Sequence, residues 1–173
     1  MSELFIPSKG IKFWSVLYRS DLVSEAEILP LLTQKNYLIR KESFLPQANY
    51  YAKEMGGEEK LKKFFLVELE TSDRESLVSE KLKAVELENT HSREQSRMIN
   101  IDPGMITLEN VLLTSGKNYG HRVYILDGVF YELELIYTKN KFEKLPWTYP
   151  DYQTLEVLEF FKSMRAHLQQ LLA

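Results

Sequence analysis

The sequence predicts an α+β domain built mainly on an antiparallel sheet. Four apolar, partly alternating stretches are typical of β-strands, at residues 11–18, 37–44, 62–70 and 97–101. Stretches with helical periodicity lie between these strands and at the end of the chain. The order β-α-β-β-α-β, then a hairpin and a helix, favours a ferredoxin-like core with an extension. A strongly curved sheet or partial barrel with helices on one side is the alternative.

The composition fits a single soluble domain over residues 1–173. Hydrophobic residues make up 44% and charged residues 27%, as in ordinary globular proteins. The net charge of -3 gives no basic field for nucleic acid or an anionic membrane. The absence of cysteine excludes disulfides, thiolate zinc sites and cysteine nucleophiles. Because no apolar run has the length of a signal peptide or a membrane span, we expect a cytoplasmic protein.

Two helices are expected between the early strands. Residues 24–27 have capping-box spacing and begin the first helix, which Pro30 should kink or split. A second capping box at residues 72–75 should begin the other helix, with Leu82 and Val85 on its buried side.

Three further segments follow from local patterns. Residues 46–57 are interpreted as irregular or as a short helix, and residues 102–104, Asp-Pro-Gly, as a type II turn that ends a strand. Residues 107–114 fit either a short helix or a strand. The amphipathic stretch 154–172 predicts the final helix.

Residues 119–137 predict a β-hairpin around the Asp127-Gly128 pair, which is typical of a two-residue type I′ turn. The register that this turn implies places His121 opposite Glu134 and puts Glu132 on the same face. The other face is the predicted core face and carries Arg122, Tyr124, Leu126, Val129, Tyr131, Leu133 and Leu135.

The cluster His121, Glu132 and Glu134 is the candidate catalytic centre, with Asp102 as a further partner from its turn. One imidazole and two carboxylates are the residue types that bind a divalent cation or transfer a proton. The alternative is a cross-strand ion pair on a solvated sheet face, with Asp102 held in a local Asx turn.

Candidate ligand-binding residues flank this cluster. Lys117 and Arg122 are suited to a phosphate or carboxylate, unless they are only a solvated strand entry. Trp147 and Tyr149 are suited to stacking on a base or ring. The alternative for this segment is an aromatic plug over the core.

Two polar residues complete the candidate set. Asp151 follows the aromatic segment and is either a ligand contact or the cap of the final helix. Asn100 shares a strand face with Asp102, so both side chains are candidates for the same site.

Motifs over nearly the whole chain resemble the bacterial family known as domain of unknown function 4416. They lie at residues 50–51 with 54–56, 100–104, 117–124 and 145–152. Residues 47–49 depart from the family pattern, which more often has an acid there. The resemblance implies no activity. Some members are labelled GTP-binding, but this sequence has neither a phosphate loop nor an Asn-Lys-x-Asp base reader.

These observations favour binding of a small phosphorylated or nucleotide-like ligand, with metal-assisted hydrolysis as the reaction class if catalysis occurs. The alternative is a non-enzymatic protein-interaction module that docks a partner protein or a second copy. RNA binding through aromatic strands is disfavoured by the acidic balance.

Overall fold

The structure is a computed structural model that describes residues 3–42, 54–93 and 96–173. The helices are α1 (Glu25–Leu32), α2 (Ser76–Thr90) and α3 (Leu155–Leu172). The strands are β1 (Gly10–Arg19), β2 (Tyr37–Glu42), β3 (Leu61–Ser72), β4 (Ser92–Arg93), β5 (Ser96–Arg97), β6 (Ile99–Ile106), β7 (Asn110–Ser115), β8 (Arg122–Leu126), β9 (Val129–Thr138) and β10 (Lys141–Lys144). Short 3₁₀ turns cover Glu58–Lys60 and Pro150–Gln153.

One eight-stranded sheet organises the chain, in the order β10-β9-β7-β6-β1-β3-β2, and β8 also pairs with β9. Each of its pairings is antiparallel. The sheet curls into a half-barrel. The predicted α+β class with a mainly antiparallel sheet is therefore confirmed, and the curved-sheet alternative describes its shape.

Alternation along the central strands divides the core into two layers. The layer against α1 and α2 includes Trp14, Val16, Phe64, Leu66 and Ala84. The layer against α3 includes Ile11, Phe13, Phe65, Val67 and Phe161. Helices therefore cover both faces of the curved sheet rather than one. We call the face that packs on the last helix the α3 face.

The first predicted capping box is confirmed and the second is wrong. Ser24 N donates to Glu27 Oε2 at 2.8 Å, and α1 ends at Leu32, two residues after Pro30. Ser72 instead ends β3, so α2 begins at Ser76 without a capping side chain. Pairing of Ser72 with the start of β1 outweighs its capping preference.

Residues 102–104 form no turn but continue β6, so that prediction is wrong. β6 pairs with β7 only from Gly104 onward, so Pro103, which has no N–H, lies where the outer edge has no strand partner. Gly104 is required because a Cβ there would lie 2.3 Å from Phe13 Cζ and 2.5 Å from Leu112 O. Tertiary packing therefore overrides the turn propensity of Pro-Gly.

Helix α2 covers the part of the β6 edge that β7 leaves open. Ile101 N donates to Glu88 Oε1 at 2.6 Å, and Lys81 Nζ donates to Ile101 O at 3.1 Å. These two side chains satisfy the backbone where a strand is missing. The helix therefore buries Lys81 and Glu88, while Leu82 and Val85, predicted to be buried, are 45% and 41% exposed.

The later elements largely follow the sequence. Within the undecided stretch 107–114, residues 110–114 belong to β7, and the final helix is confirmed. Thr154 caps that helix by accepting a hydrogen bond from Val157 N at 3.3 Å, so Asp151 is not the cap. The predictions for residues 43–44 and 46–53 lie outside the described residues.

Candidate functional site

The hairpin turn forms as the sequence predicts. Asp127 and Gly128 have φ values of 50° and 79°, the left-handed conformations that a type I′ turn requires. Leu126 pairs with Val129 across the turn. The turn residues therefore fix the start of the pairing between β8 and β9.

The predicted register fails one step beyond the turn. A bulge between Tyr124 and Leu126 shifts the pairing by one residue, so Arg122 lies opposite Glu132. The predicted core face is consequently only partly correct, because Val129 and Leu135 are buried whereas Tyr124 and Leu126 are 59% and 54% exposed. The predicted pairing of His121 with Glu134 is lost for the same reason.

A second irregularity buries the two glutamates of β9 together. Consecutive residues of β7 pair with Leu133 and Leu135, so Glu134 is left without a partner on β7 and is an extra residue in β9. Glu132 faces Leu113, a member of the α3-face core, and therefore points to the α3 face. Both carboxyls are removed from solvent, with exposures of 2% for Glu132 and 0% for Glu134.

The segment Trp147–Tyr149, which we call the gap segment, fills the space between β8 and β10 along β9. Trp147 Nε1 donates to Leu133 O at 2.8 Å, and Thr148 Oγ1 donates to Glu134 O at 2.6 Å. Tyr149 N donates to Glu134 Oε1 at 2.6 Å. The aromatic segment thus lies directly against the glutamates, as part of the sheet edge.

Arg122 joins the hairpin to the gap segment. Its Nε donates to Glu132 Oε2 at 2.7 Å, and one terminal nitrogen donates to Tyr149 Oη at 2.9 Å. The other terminal nitrogen donates to the Lys117 carbonyl at 3.1 Å. The side chain is only 5% exposed. The guanidinium predicted to bind an anion therefore already has a protein partner at each nitrogen.

His121 lies at the rim of this buried cluster. Its Nε2 is 3.1 Å from Glu132 Oε1, and its side chain is 25% exposed. The imidazole is stacked between Tyr119, at 6.0 Å and 13°, and Trp147, at 5.2 Å and 11°. We call these three rings the aromatic stack. It presents partly exposed ring surfaces above the Arg122–Glu132 pair.

Burial raises the pKa of Glu134 to about 8, and the charges of Glu132 and Asp151 act in the same direction. The Tyr149 N–H and the Lys63 charge oppose this shift. Glu134 Oε2 has no hydrogen-bond partner in the part of the chain that the structure describes. The site therefore contains a carboxyl that holds its proton at neutral pH beside one that is paired with an arginine.

This shift predicts a pH dependence of stability. Between about 4.5 and 8 the folded protein keeps the Glu134 proton while the unfolded chain releases it. Stability should therefore fall as the pH rises through this window, by at most about 1.4 kcal/mol per pH unit for one group.

Glu134→Gln removes the titration, so the variant should gain stability relative to the wild type from pH 5 to pH 8. Urea unfolding at a series of pH values measures the difference. Glu143→Gln, an exposed pair member on β10, is the control. A constant difference between Glu134→Gln and the wild type across the window would contradict the prediction.

Asp102 and Asn100 belong to a neighbouring network. Asn100 Nδ2 donates to Asp102 Oδ2 at 2.8 Å, and Lys81 Nζ donates to Asp102 Oδ1 at 3.1 Å. Burial alone would raise the pKa of Asp102, but the Lys81 ammonium and these hydrogen bonds hold it below its usual value. The Asp102 charge is felt by Tyr149, whose pKa burial and the Glu132 charge raise to about 12.

Asp151 forms a short ion pair with Lys63 of β3, and both side chains are nearly buried, at 12% and 13% exposure. Lys63 also lies 5.4 Å from the centre of the Tyr152 ring. The sequence analysis missed Lys63 and Lys81. The sequence did contain a signal for Lys63, because a lysine occupies an inward-facing position of an otherwise apolar strand.

The predicted metal set of His121, Glu132 and Glu134 does not assemble. The two oxygens of Glu132 lie against His121 and Arg122, and one oxygen of Glu134 accepts from the gap segment. Within residues 3–42, 54–93 and 96–173, no group of three or more His, Asp or Glu side chains could hold a metal ion. His121 and Glu132 instead contact each other, Glu132 pairs with Arg122, and Glu134 accepts a backbone hydrogen bond.

The fold and this cluster define an α+β domain with a buried polar centre at the edge of a curved sheet. The chain belongs to the family described as Domain of unknown function (DUF4416), whose model matches residues 11–168. Comparisons with curated proteins and with solved structures give no match. No helix in the described ranges is long and apolar enough to cross a membrane.

Proposed function

We propose that the protein binds a small phosphorylated or nucleotide-like ligand at the aromatic stack and the polar cluster beneath it. The observation that carries this proposal is the burial of the Arg122–Glu132 pair and of Glu134 directly under partly exposed rings. Buried ion pairs seldom add stability over apolar packing. Groups with perturbed pKa values that cluster in this way are typical of functional sites.

The aromatic stack supports recognition of a flat ring. Trp147 is 37% exposed and Tyr119 is 56% exposed, so both offer surface for stacking. Stacking of a base on an aromatic side chain contributes about 1–3 kcal/mol. The imidazole of His121 lies at the same rim and can donate a hydrogen bond from a ring N–H to an anionic group of the ligand.

The two glutamates support proton transfer to or from such a ligand. Glu132 is paired with Arg122 at 2.7 Å, whereas burial raises the pKa of Glu134 to about 8. Carboxyls with environments that push their pKa values apart are suited to acid and base roles. We therefore propose hydrolysis of the phosphorylated ligand as the reaction class, with Glu134 as the proton donor.

Ligand binding can be tested by calorimetry and by tryptophan fluorescence. Trp14 is 2% exposed and Trp147 is 37% exposed, so acrylamide quenching reports mainly on Trp147. The ligand panel is nucleoside mono-, di- and triphosphates and pyrophosphate, each with and without Mg²⁺. A binding member should protect Trp147 from acrylamide and raise the melting temperature.

Substitutions test whether the ligand binds at the proposed site. Trp147→Ala should weaken binding by about tenfold or more, as expected for loss of one stacked ring. His121→Gln should weaken it as well, and His91→Gln is the matched control outside the site. Phosphate release by the wild type but not by Glu134→Gln would support the reaction. Absence of binding by every panel member would contradict the proposal.

We also propose that β1, α1, β2, β3, α2 and β6 form a ferredoxin-like core. The strand order β6-β1-β3-β2 and the antiparallel pairing support it. One helix lies between β1 and β2 and another between β3 and β6, and both pack on the same face. β7 to β10 would then be the extension that carries the site. An experimental structure with a different strand order would contradict this assignment.

A further inference from the structure

The outer edge of β8 is open and apolar. β8 pairs with β9, and its other edge has no strand partner among the described residues. Its four consecutive apolar residues Val123, Tyr124, Ile125 and Leu126 are 65%, 59%, 41% and 54% exposed. Lysines, prolines or covering elements normally protect edge strands from pairing with strands of other chains. The only protective device on β8 is the bulge near its end, so this edge is suited to pairing with another strand.

We infer that two copies of this chain pair through β8, edge to edge and antiparallel, about a two-fold axis at Tyr124. A two-fold interface uses the same surface from both copies, so the strand must be compatible with itself. Pairing centred on Tyr124 places Arg122 near Ile125 and Leu126 of the partner subunit, where β8 bulges. The two arginines therefore do not face each other, and each is already neutralised by Glu132 in its own copy.

Charge complementarity favours a second copy of this chain over a different protein as the partner of the β8 edge. Residues 123–126 carry no charge, so a charged partner strand would gain nothing from them. Immediately outside the strand, the same arrangement brings the turn residue Asp127 of the partner subunit towards His121, so a carboxylate rather than a second cation lies beside the imidazole. The register thus joins apolar residues to apolar residues and an imidazole to a carboxylate.

The pairing would also complete the rim of the aromatic stack. Tyr119 and His121 precede β8 directly, so the turn of the partner hairpin would lie beside them. Asp127 of the partner subunit would then stand next to the exposed edge of His121. The second copy therefore contributes a carboxylate to the site, although the dimer itself does not depend on the proposed ligand.

Sedimentation equilibrium of the full chain tests the dimer directly. The wild type should show twice the 20.4 kDa chain mass at micromolar concentrations. Val123→Lys should weaken the dimer at least tenfold, because two buried ammonium groups would enter the interface. Leu38→Lys is the matched control, since Leu38 is 43% exposed on β2, the edge strand at the opposite end of the sheet. Circular dichroism should show that both variants keep the fold.

A crosslink tests the register. The chain has no cysteine, so Tyr124→Cys introduces a single thiol at the two-fold axis. Residues that face each other across an antiparallel pair are close enough for a disulfide. Tyr124→Cys should give a covalent dimer under mild oxidation, and Leu38→Cys should not.

Three results would overturn the inference. The first is a wild-type monomer throughout the concentration range, and the second is equal crosslinking of both cysteine variants. The third is a dimer that survives Val123→Lys but is lost when residues 3–6 are removed. That result would assign the interface to the exposed arm residues Leu4, Phe5 and Ile6 instead.

Discussion

Arg122→Ala should lower the free energy of unfolding by about 3–5 kcal/mol, the usual cost of leaving one partner of a buried ion pair alone. Glu132 is 2% exposed and would lose its strongest partner. Tyr149 and the Lys117 carbonyl would lose hydrogen bonds as well.

Lys141→Ala is the matched control for this measurement. Its ion pair with Glu143 lies on the same sheet, but the side chains are 62% and 42% exposed. An exposed pair contributes at most about 1 kcal/mol. Urea unfolding of both variants compares a buried pair with an exposed one. Equal small losses would show that Arg122 is not the central contact of the cluster.

Gly104→Ala should destabilise the protein by about 3 kcal/mol, at the upper end of the usual cost of overpacking a core. The added Cβ would lie 2.3 Å from Phe13 Cζ and 2.5 Å from the Leu112 carbonyl oxygen. Phe13 cannot move freely because its ring packs at 5.1 Å against Phe161. The strand pairing with β7 would have to loosen to accommodate the methyl group.

Gly120→Ala separates this steric effect from the general effect of replacing glycine. No heavy atom lies within 4 Å of the position of a Cβ at Gly120. This variant should therefore differ from the wild type by about 0.5 kcal/mol or less. Thermal and urea unfolding of the two variants make the comparison. A Gly104→Ala protein as stable as Gly120→Ala would contradict the close packing described for β6.

The sequence predicted those parts of the fold that depend on local chemistry. Hydrophobic alternation located the central strands, and the Asp127-Gly128 pair identified the hairpin turn. The bulge between Tyr124 and Leu126 was not predictable, because a bulge depends on contacts with strands that the local sequence does not reveal. One unpaired residue moves every side chain beyond it to the other face.

The Asp-Pro-Gly stretch fails for a related reason. Its turn propensity is correct as a local preference, but Gly104 is needed by Phe13 of a strand ninety positions away in the chain. Pro103 is tolerated because it lies just before the pairing with β7 begins, where Thr114 Oγ1 donates to its carbonyl and no strand requires an N–H from it. Local rules carry no information about either contact.

The sequence predicted the residue types of the candidate site but only part of their spatial arrangement. His121 and Glu132 do lie together, in direct contact at 3.1 Å, and the cation paired with Glu132 is Arg122 rather than a metal. The ligand candidate Tyr149 contacts the cluster through its backbone and its hydroxyl. Which cation neutralises which carboxylate depends on tertiary structure, since Lys63 and Asp151 are far apart in sequence.

On one edge of β9, the gap segment donates hydrogen bonds to the Leu133 and Glu134 carbonyls from an indole N–H and a hydroxyl. A neighbouring strand would donate them from main-chain amides. A main-chain amide is present at every residue except proline, whereas an indole or a hydroxyl can be lost in a single codon change. This stretch of the half-barrel therefore depends on the side chains at two positions, Trp147 and Thr148, for its hydrogen bonds to the Leu133 and Glu134 carbonyls. It is the part of the fold at which evolution can alter access to the buried glutamates most simply.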